Sequence, residues 1–437
     1  MKIGIDIEFY EPNLPNEVRE GLLFIDQDGK DYFEYNGSMK DWIKSYKVIY
    51  ATAVATNEKY TFINCYFSQS SSSRCKFVIN ELYEGDFVSE ATEKNCIEAE
   101  VRITGLTNWI NHPRIKPEIT FSTSEQSKVI LKEFFTRTFQ ISEHTQLELC
   151  EFCGENYSRN QTILQNLSFV KLKNSKPTSR LEMYHIATAF SKLLSLFSDD
   201  VPRFTYLQFS FTSKKQVISL STKGVTEPDN NDTLLSYDKL ELYWPKILET
   251  YYSKRDKYVK VIDLLIASIK NNTAEISFLN ITTAFEVFHK YFYEKENEAL
   301  RKVLLSELSE VGLVNRPTKR WEQIIRYHHL FKIIEGIDFF KQNFQNPLKT
   351  IDLIRESRNY YTHYHETEKE IWTPNRLLYA NKALRQLLKG VILKELQLPD
   401  HLINKLLSNR AAVFYQDYEN NEYSLHFTGA ASAKRSL

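Results

Sequence analysis

Hydrophobic residues fall in short runs between clusters of turn residues in the first part of the chain, and in helix-period stripes after about residue 257. Gly21-Leu22-Leu23-Phe24-Ile25 and Tyr32-Phe33-Glu34-Tyr35 flank Asp28-Gly29, a pair suited to the φ > 0 turn of a β-hairpin. Further strand-like runs are 47–55, 60–67, 75–80, 97–103, 117–122 and 147–152, with turn chemistry between them that includes the serine cluster 68–73. No helix-period segment alternates with these strands, so the pattern predicts a sandwich or irregular barrel rather than βαβ units. One helix is predicted near 181–197, where Met183, Ile186, Phe190, Leu193 and Phe197 form a single stripe. A strand pair over 204–212 and 215–222 follows, and the polar segment Thr226–Asp232 is the best linker.

Beyond it the stripes predict helices over 257–270, 276–293, 300–313, 321–334 and 348–364. In the second, Ile281, Phe285, Phe288 and Phe292 mark one buried face. Thr373-Pro374 is expected to open a long helix to about Leu396, with Thr373 as its N-cap. Asp400 is expected to cap a short one, and 413–427 reads as a final hairpin. These elements divide the 437 residues into a β-rich region over 1–225, a linker and lead-in over 226–256, a helical domain over 257–410, and a hairpin and tail over 411–437.

Composition narrows the function classes. Lys+Arg and Asp+Glu are equal at 56 each, which excludes a tail-driven polycationic nucleic-acid binder but leaves room for a local basic groove. Only 12 glycines argue against Gly-rich phosphate cradles, and 14% aromatic residues against a disordered chain. No apolar run is long enough to span a membrane. Charge enters too early at the N-terminus for a secretory signal, and five cysteines make no disulfide framework, so a reducing cytoplasm is expected.

The candidate chemistry lies in Arg358-Asn359-Tyr360-Tyr361-Thr362-His363. On a helix Asn359 and His363 share a face, and Arg358 stands about 140° from His363. RNA cleavage needs little more than this set. The 2′-hydroxyl is itself the nucleophile, a neutral His can take its proton, and an Arg can hold the charge developing on the phosphate. Bare Arg-x4-His also fits a solvated helix end. Glu286 fits either a site acid or the solvated edge of its stripe, with His289 as a partner one turn on.

Residues from about 257 to 408 resemble a HEPN domain of the ApeA-like type, through the 282–288 helix, the 358–363 motif and the capped helix after it. Gly21–Phe24 and Val101–Trp109 resemble the ApeA N-terminal region, while 123–256 matches loosely. The resemblance implies an α+β multidomain chain, a β-rich N-terminal domain followed by an all-α HEPN helical bundle. It implies a metal-independent endoribonuclease needing no cofactor, acting on RNA (tRNA among the candidates) as a toxin in anti-phage abortive infection. It further implies a homodimer or higher oligomer, a phage-derived trigger, and no membrane partner. By position, Arg358 and His363 become the catalytic pair, Asn359 the polar residue between them and Glu286 the helix acid, with His365 only a supporting possibility. Tyr360, Tyr361, Tyr364 and Arg355 are the RNA-binding candidates beside the motif. The rival reading is a non-catalytic HEPN module for dimerisation or RNA binding.

Weaker signals remain. Cys150-Glu151-Phe152-Cys153 is a lone CxxC; Cys65, Cys75, Cys96 and His144 lack the spacing of a second knuckle, so two reduced cysteines at a strand end are preferred to zinc. His363-x-His365 with Glu366 and Glu368 is a poor metal set on a helix, because the two imidazoles diverge. The basic and aromatic runs 251–258 and 316–321, and Arg376, Lys382, Arg385 and Lys389 on the last long helix, could track phosphates.

Overall fold

The computed structural model describes residues 4–427, apart from 26–30, 38–44, 72–73, 90–92, 111–117, 121–127, 131–134, 159–160, 199–200, 213–216, 221–233, 272, 295–296, 311–320, 345, 365–368, 409–411 and 417–422. It forms two compact units, one of residues 1–191 with 202–238 and one of 192–201 with 239–437.

The first unit is built on one antiparallel sheet that closes on itself. Strands β1 (Gly4–Tyr10), β2 (Arg19–Phe24), β3 (Tyr32–Asn36), β4 (Ser45–Ala53), β5 (Lys59–Ser71) and β6 (Arg74–Val78) pair in the ring β5-β4-β1-β2-β3-β6-β5. Alternate residues point inward, so Ile7, Phe9, Leu23, Phe33, Tyr35, Ile49, Phe62 and Phe77 fill the barrel. Gly21 is required where it stands, since a Cβ there would lie 2.7 Å from the Glu34 carbonyl oxygen.

Strand β5 is shared. Its C-terminal half pairs with β6, while Lys59–Ile63 pair with β7 (Glu81–Gly85), which starts an open extension. The extension runs through β15 (Val217–Leu220), β14 (Phe204–Phe211), β8 (Cys96–Ile103), β13 (Gln161–Thr178) and β12 (Thr145–Ser158) to β11 (Phe135–Gln140), while β9 (Glu118–Thr120) and β10 (Lys128–Ile130) pair with each other separately. Helix α1 (Leu106–Ile110) and helix α2 (Arg180–Leu194), all but its last turn, belong to this unit. Met183, Ile186, Phe190 and Leu193 of α2 are buried as their spacing predicts, and Phe197 is buried too although the helix ends at Leu194.

The irregular barrel and the 204–222 strand pair follow the sequence pattern, and β2 and β3 form the expected hairpin around a turn outside the described residues. The serine cluster does not end its strand, because β5 continues through Ser71. The 18-residue β13, which pairs with β12 from Gln161 to Asn174, goes unread because Asn, Gln, Ser and Lys dilute its apolar alternation.

The second unit is helical: α4 (Trp244–Ser253) after the single turn α3 (Tyr237–Leu240), then α5 (Arg255–Lys270), α6 (Ala274–Tyr293), α7 (Asn297–Glu310), α8 (Trp321–Ile333), α9 (Asp338–Asn343), α10 (Pro347–His363), α11 (Pro374–Glu395) and α12 (Asp400–Ser408). The hairpin of β16 (Ala412–Gln416) and β17 (Tyr423–Phe427) follows. The lead-in expected up to residue 256 is thus folded, with Trp244, Ile247, Leu248 and Tyr251 buried. Thr226–Asp232 lies outside the described residues. Thr373 takes the N-cap position of α11 without a side-chain capping bond. Asp400 is the first residue of α12 rather than its cap, and its carboxylate pairs with Lys394. Among the described residues, no helix is long and apolar enough to cross a membrane.

Candidate active site

Helix α10 begins at Asn346, whose side chain accepts from the Lys349 N–H at 3.0 Å, with Pro347 in the first turn. It buries Ile351, Leu353, Ile354, Ser357 and Tyr361, and leaves Asn359 and His363 exposed, four residues apart. Tyr364 ends it in the left-handed region at φ 52°, its N–H returned to the Tyr360 carbonyl. Two bonds secure this end. The Trp372 N–H donates to Ser357 Oγ at 2.8 Å, and the Tyr361 hydroxyl donates to the Trp372 carbonyl at 2.8 Å. The end of α10 is therefore held by the strand of chain that returns at Trp372.

Helix α6 buries Phe278, Ile281, Phe285 and Phe288, and Glu286 stands at the border of that face. Arg358 Nη2 donates to Glu286 Oε2 at 3.0 Å, and Gln323 Nε2 of α8 donates to Oε1 at 3.3 Å. The carboxylate is 17% exposed and the guanidinium 22%, so the pair is shielded but within reach of solvent. Burial raises the Glu286 carboxyl above its ordinary value; Arg358 and then Arg326 pull it down without cancelling the burial. Among the described residues Glu286 is the one hydrogen-bond partner of the Arg358 guanidinium, which leaves its other N–H groups to a ligand.

The fold thus joins Arg358 and Glu286 across 72 residues of sequence. Two family models account for nearly the whole chain: ApeA N-terminal domain 1 matches residues 8–277 and Apea-like HEPN matches 279–402. The chain belongs to the ApeA-like HEPN family. No curated protein and no solved structure matches it. HEPN domains generally carry ribonuclease activity, and they typically dimerise and bind RNA.

Other sequence-derived candidates in the HEPN domain fare differently. His289 does not pair with Glu286. Its Nε2 lies 3.2 Å from His329 Nδ1 in a buried contact, and burial, with His329 and Arg326 nearby, pushes it down to about 3. Tyr361 is buried and bonded to Trp372, so it is a strut and not a stacking surface. Arg355 is held by Asp352 and Glu356, and Lys369 also reaches Glu356, at 2.7 Å. Of the motif tyrosines, Tyr364 is open, 70% exposed, with the Tyr360 ring 6.1 Å away.

Tyr251 and Tyr258 are buried and stacked on each other at 5.3 Å, so these two rings of the 251–258 run are core, while Lys254 and Lys257 are exposed and Lys254 pairs with Glu395. On α11, Lys382 is exposed, but Lys389 is buried and donates to the Ser198 carbonyl, Arg385 donates to Ser268 and Ser277, and Arg376 lies 3.8 Å from Glu370, so the four do not form one open basic row. Residues 316–320 and His365, Glu366 and Glu368 lie outside the described residues.

Among the described residues no three His, Cys, Asp or Glu side chains gather as a metal set. Cys150 and Cys153 lie within β12, not at its end; Cys65, Cys75, Cys96 and Cys150 are buried free thiols, and His144 Nε2 lies 3.0 Å from Lys176 Nζ. Sequence reasoning missed Gln323 and the Ser357–Trp372 clamp. Neither has a local signal, since each acts on a residue far along the chain.

Proposed function

We propose that this ApeA-like HEPN protein is a metal-independent endoribonuclease that cuts RNA by internal transesterification, as a regulated toxin of anti-phage abortive infection. The observation that carries the reading is the Arg358–Glu286 pair beside the exposed Asn359 and His363 on one helix end. In the proposed reaction His363 takes the 2′-hydroxyl proton, the 2′-oxygen bonds to phosphorus, and the bond to the 5′-oxygen breaks. Arg358 stabilises the charge on the non-bridging oxygens, and Glu286 fixes its guanidinium plane. Asn359 orients the phosphate or the imidazole. The products are a 2′,3′-cyclic phosphate and a 5′-hydroxyl.

The leaving 5′-oxygen needs a proton, and a second copy of the chain related by a two-fold axis would bring a second His363 to supply it. A symmetric dimer with α10 near the axis fits this need and the habit of the family. In this reading the N-terminal region restrains the nuclease until a phage-derived component releases it, in the cytoplasm.

The test is to incubate the purified full chain, with and without phage lysate, with total RNA that includes tRNA, and to map the ends. His363→Ala should fold and lose cleavage. Cleavage retained by His363→Ala, with contaminating ribonuclease excluded, overturns the assignment. RNA binding without cleavage under any trigger would leave the non-catalytic RNA-binding module.

A further inference from the structure

Of the polar residues on the α6 side of α8, Gln323 bonds Glu286 and His329 meets His289, while Arg326 has no role so far. Arg326 lies three residues after Gln323, so it shares the Gln323 side of the helix, with Cβ atoms about 5–6 Å apart. Its neighbour Tyr327 fixes α8 against α6 by a bond from its hydroxyl to the Thr282 carbonyl at 3.3 Å. The Arg326 charge is felt inside the site, where it lowers the pKa of both Glu286 and His289.

Arg326 is little used by the fold. Its nearest carboxylate is Glu322, one turn back on the same helix at 3.6 Å, beyond hydrogen-bond reach and 47% exposed. Among the described residues its guanidinium donates no hydrogen bond, and the side chain is 31% exposed. A pair of this kind on a helix surface is weak and screened by salt, so a stronger anion displaces it readily.

The charge balance of the site gives Arg326 a purpose. Arg358 and Glu286 neutralise each other, and a neutral pair does not attract a polyanion. Arg326 adds a second cation beside that pair, balanced among the described residues only by the exposed Glu322 carboxylate, to which it makes no hydrogen bond.

We propose that Arg326 is a second phosphate-binding residue of the RNA site, holding the phosphodiester next to the one at Arg358. This deepens the ribonuclease reading and rests on it. Arg358 then serves the reacting phosphate while Arg326 sets the strand's register, so Arg326 acts in binding more than in the chemical step.

The test uses the full chain carrying His363→Ala, so that RNA is bound and not cut. Binding of a 5′-fluorescein single-stranded RNA is followed by anisotropy across a salt series, with Arg326→Ala or Arg326→Lys added. Arg326→Ala should make the slope of log affinity against log salt shallower by about 0.7, which is about fivefold in affinity at 0.1 M salt. Arg326→Lys should recover the slope, since one phosphate contact returns. In otherwise unmodified chains, Arg326→Ala should raise KM with kcat little changed.

An unchanged slope overturns the proposal. So does an affinity loss with unchanged slope and a lowered Tm, which would mark a structural role. If the wild type cleaves RNA and the slope does not respond, the Arg326 site alone falls. If the chain neither cleaves nor binds RNA, the ribonuclease reading falls and takes this site with it.

Discussion

Removing Arg358 should destabilise the HEPN domain because of the group it leaves behind. In Arg358→Ala the largely buried Glu286 carboxylate keeps only the 3.3 Å bond from Gln323 and the more distant charge of Arg326. A hydrogen bond to a charged group contributes about 1.5–3 kcal/mol. With roughly 2–4 °C of Tm per kcal/mol in a unit of this size, the drop should be about 3–12 °C. The lower half is expected, since the 22% exposed guanidinium leaves a space that water can enter.

The deficit has a definite pH dependence. Glu286's folded value lies above its ordinary 4.5, so its ionisation costs stability; the cost is absent below about 4.5 and complete above the folded value. Arg358→Ala raises the folded value further. The gap to wild type should therefore be widest at neutral pH and close toward pH 4. Adding Glu286→Gln to Arg358→Ala should restore most of the Tm at pH 7 while cleavage stays lost. Thermal melts of the three proteins from pH 4 to 8, with cleavage assayed alongside, make the test. A deficit that ignores pH, or a double variant no more stable than the single, refutes the reasoning.

Three more outcomes are expected. Cleavage should survive EDTA and spare DNA, because the nucleophile is the substrate's own 2′-hydroxyl; loss in EDTA restored by a divalent metal would sink that scheme. Mixing wild-type and His363→Ala chains should lower activity faster than linearly with the mutant fraction if two motifs serve one phosphate, and a linear fall would show that each site works alone. His289, held near 3 against an ordinary 6.5, contributes stability that is complete above pH 6.5 and lost as pH falls toward 3. His289→Gln should flatten that part of the Tm–pH curve, and parallel curves would contradict the origin given for the shift.

The helices were legible because a stripe such as Ile281, Phe285 and Phe288 repeats at the helical period whatever it packs on. The barrel was legible as a class but not as a closure, since the shared strand β5 depends on partners near residues 52, 78 and 85 that no local pattern connects. In the site, Glu286 was tied to the 358–363 motif only through the family resemblance, and its bond to Arg358 was not anticipated. The split fate of the tyrosines was half readable: Tyr361 falls seven residues after Ile354 and so on the buried face, whereas the exposure of Tyr364 follows from the left-handed residue that ends the helix. Gln323 and Arg326 could not be singled out, because their meaning comes from what α8 faces.

The six strands of the closed barrel all lie between Gly4 and Val78, whereas Glu286, Arg358 and His363 are translated more than two hundred residues later. During synthesis the barrel can therefore complete its pairing before any of the proposed catalytic side chains has left the ribosome. A chain cut short between the two carries the proposed restraint without the weapon, and no premature stop yields the weapon alone. If the chain is the toxin proposed above, this order of production is itself a safeguard.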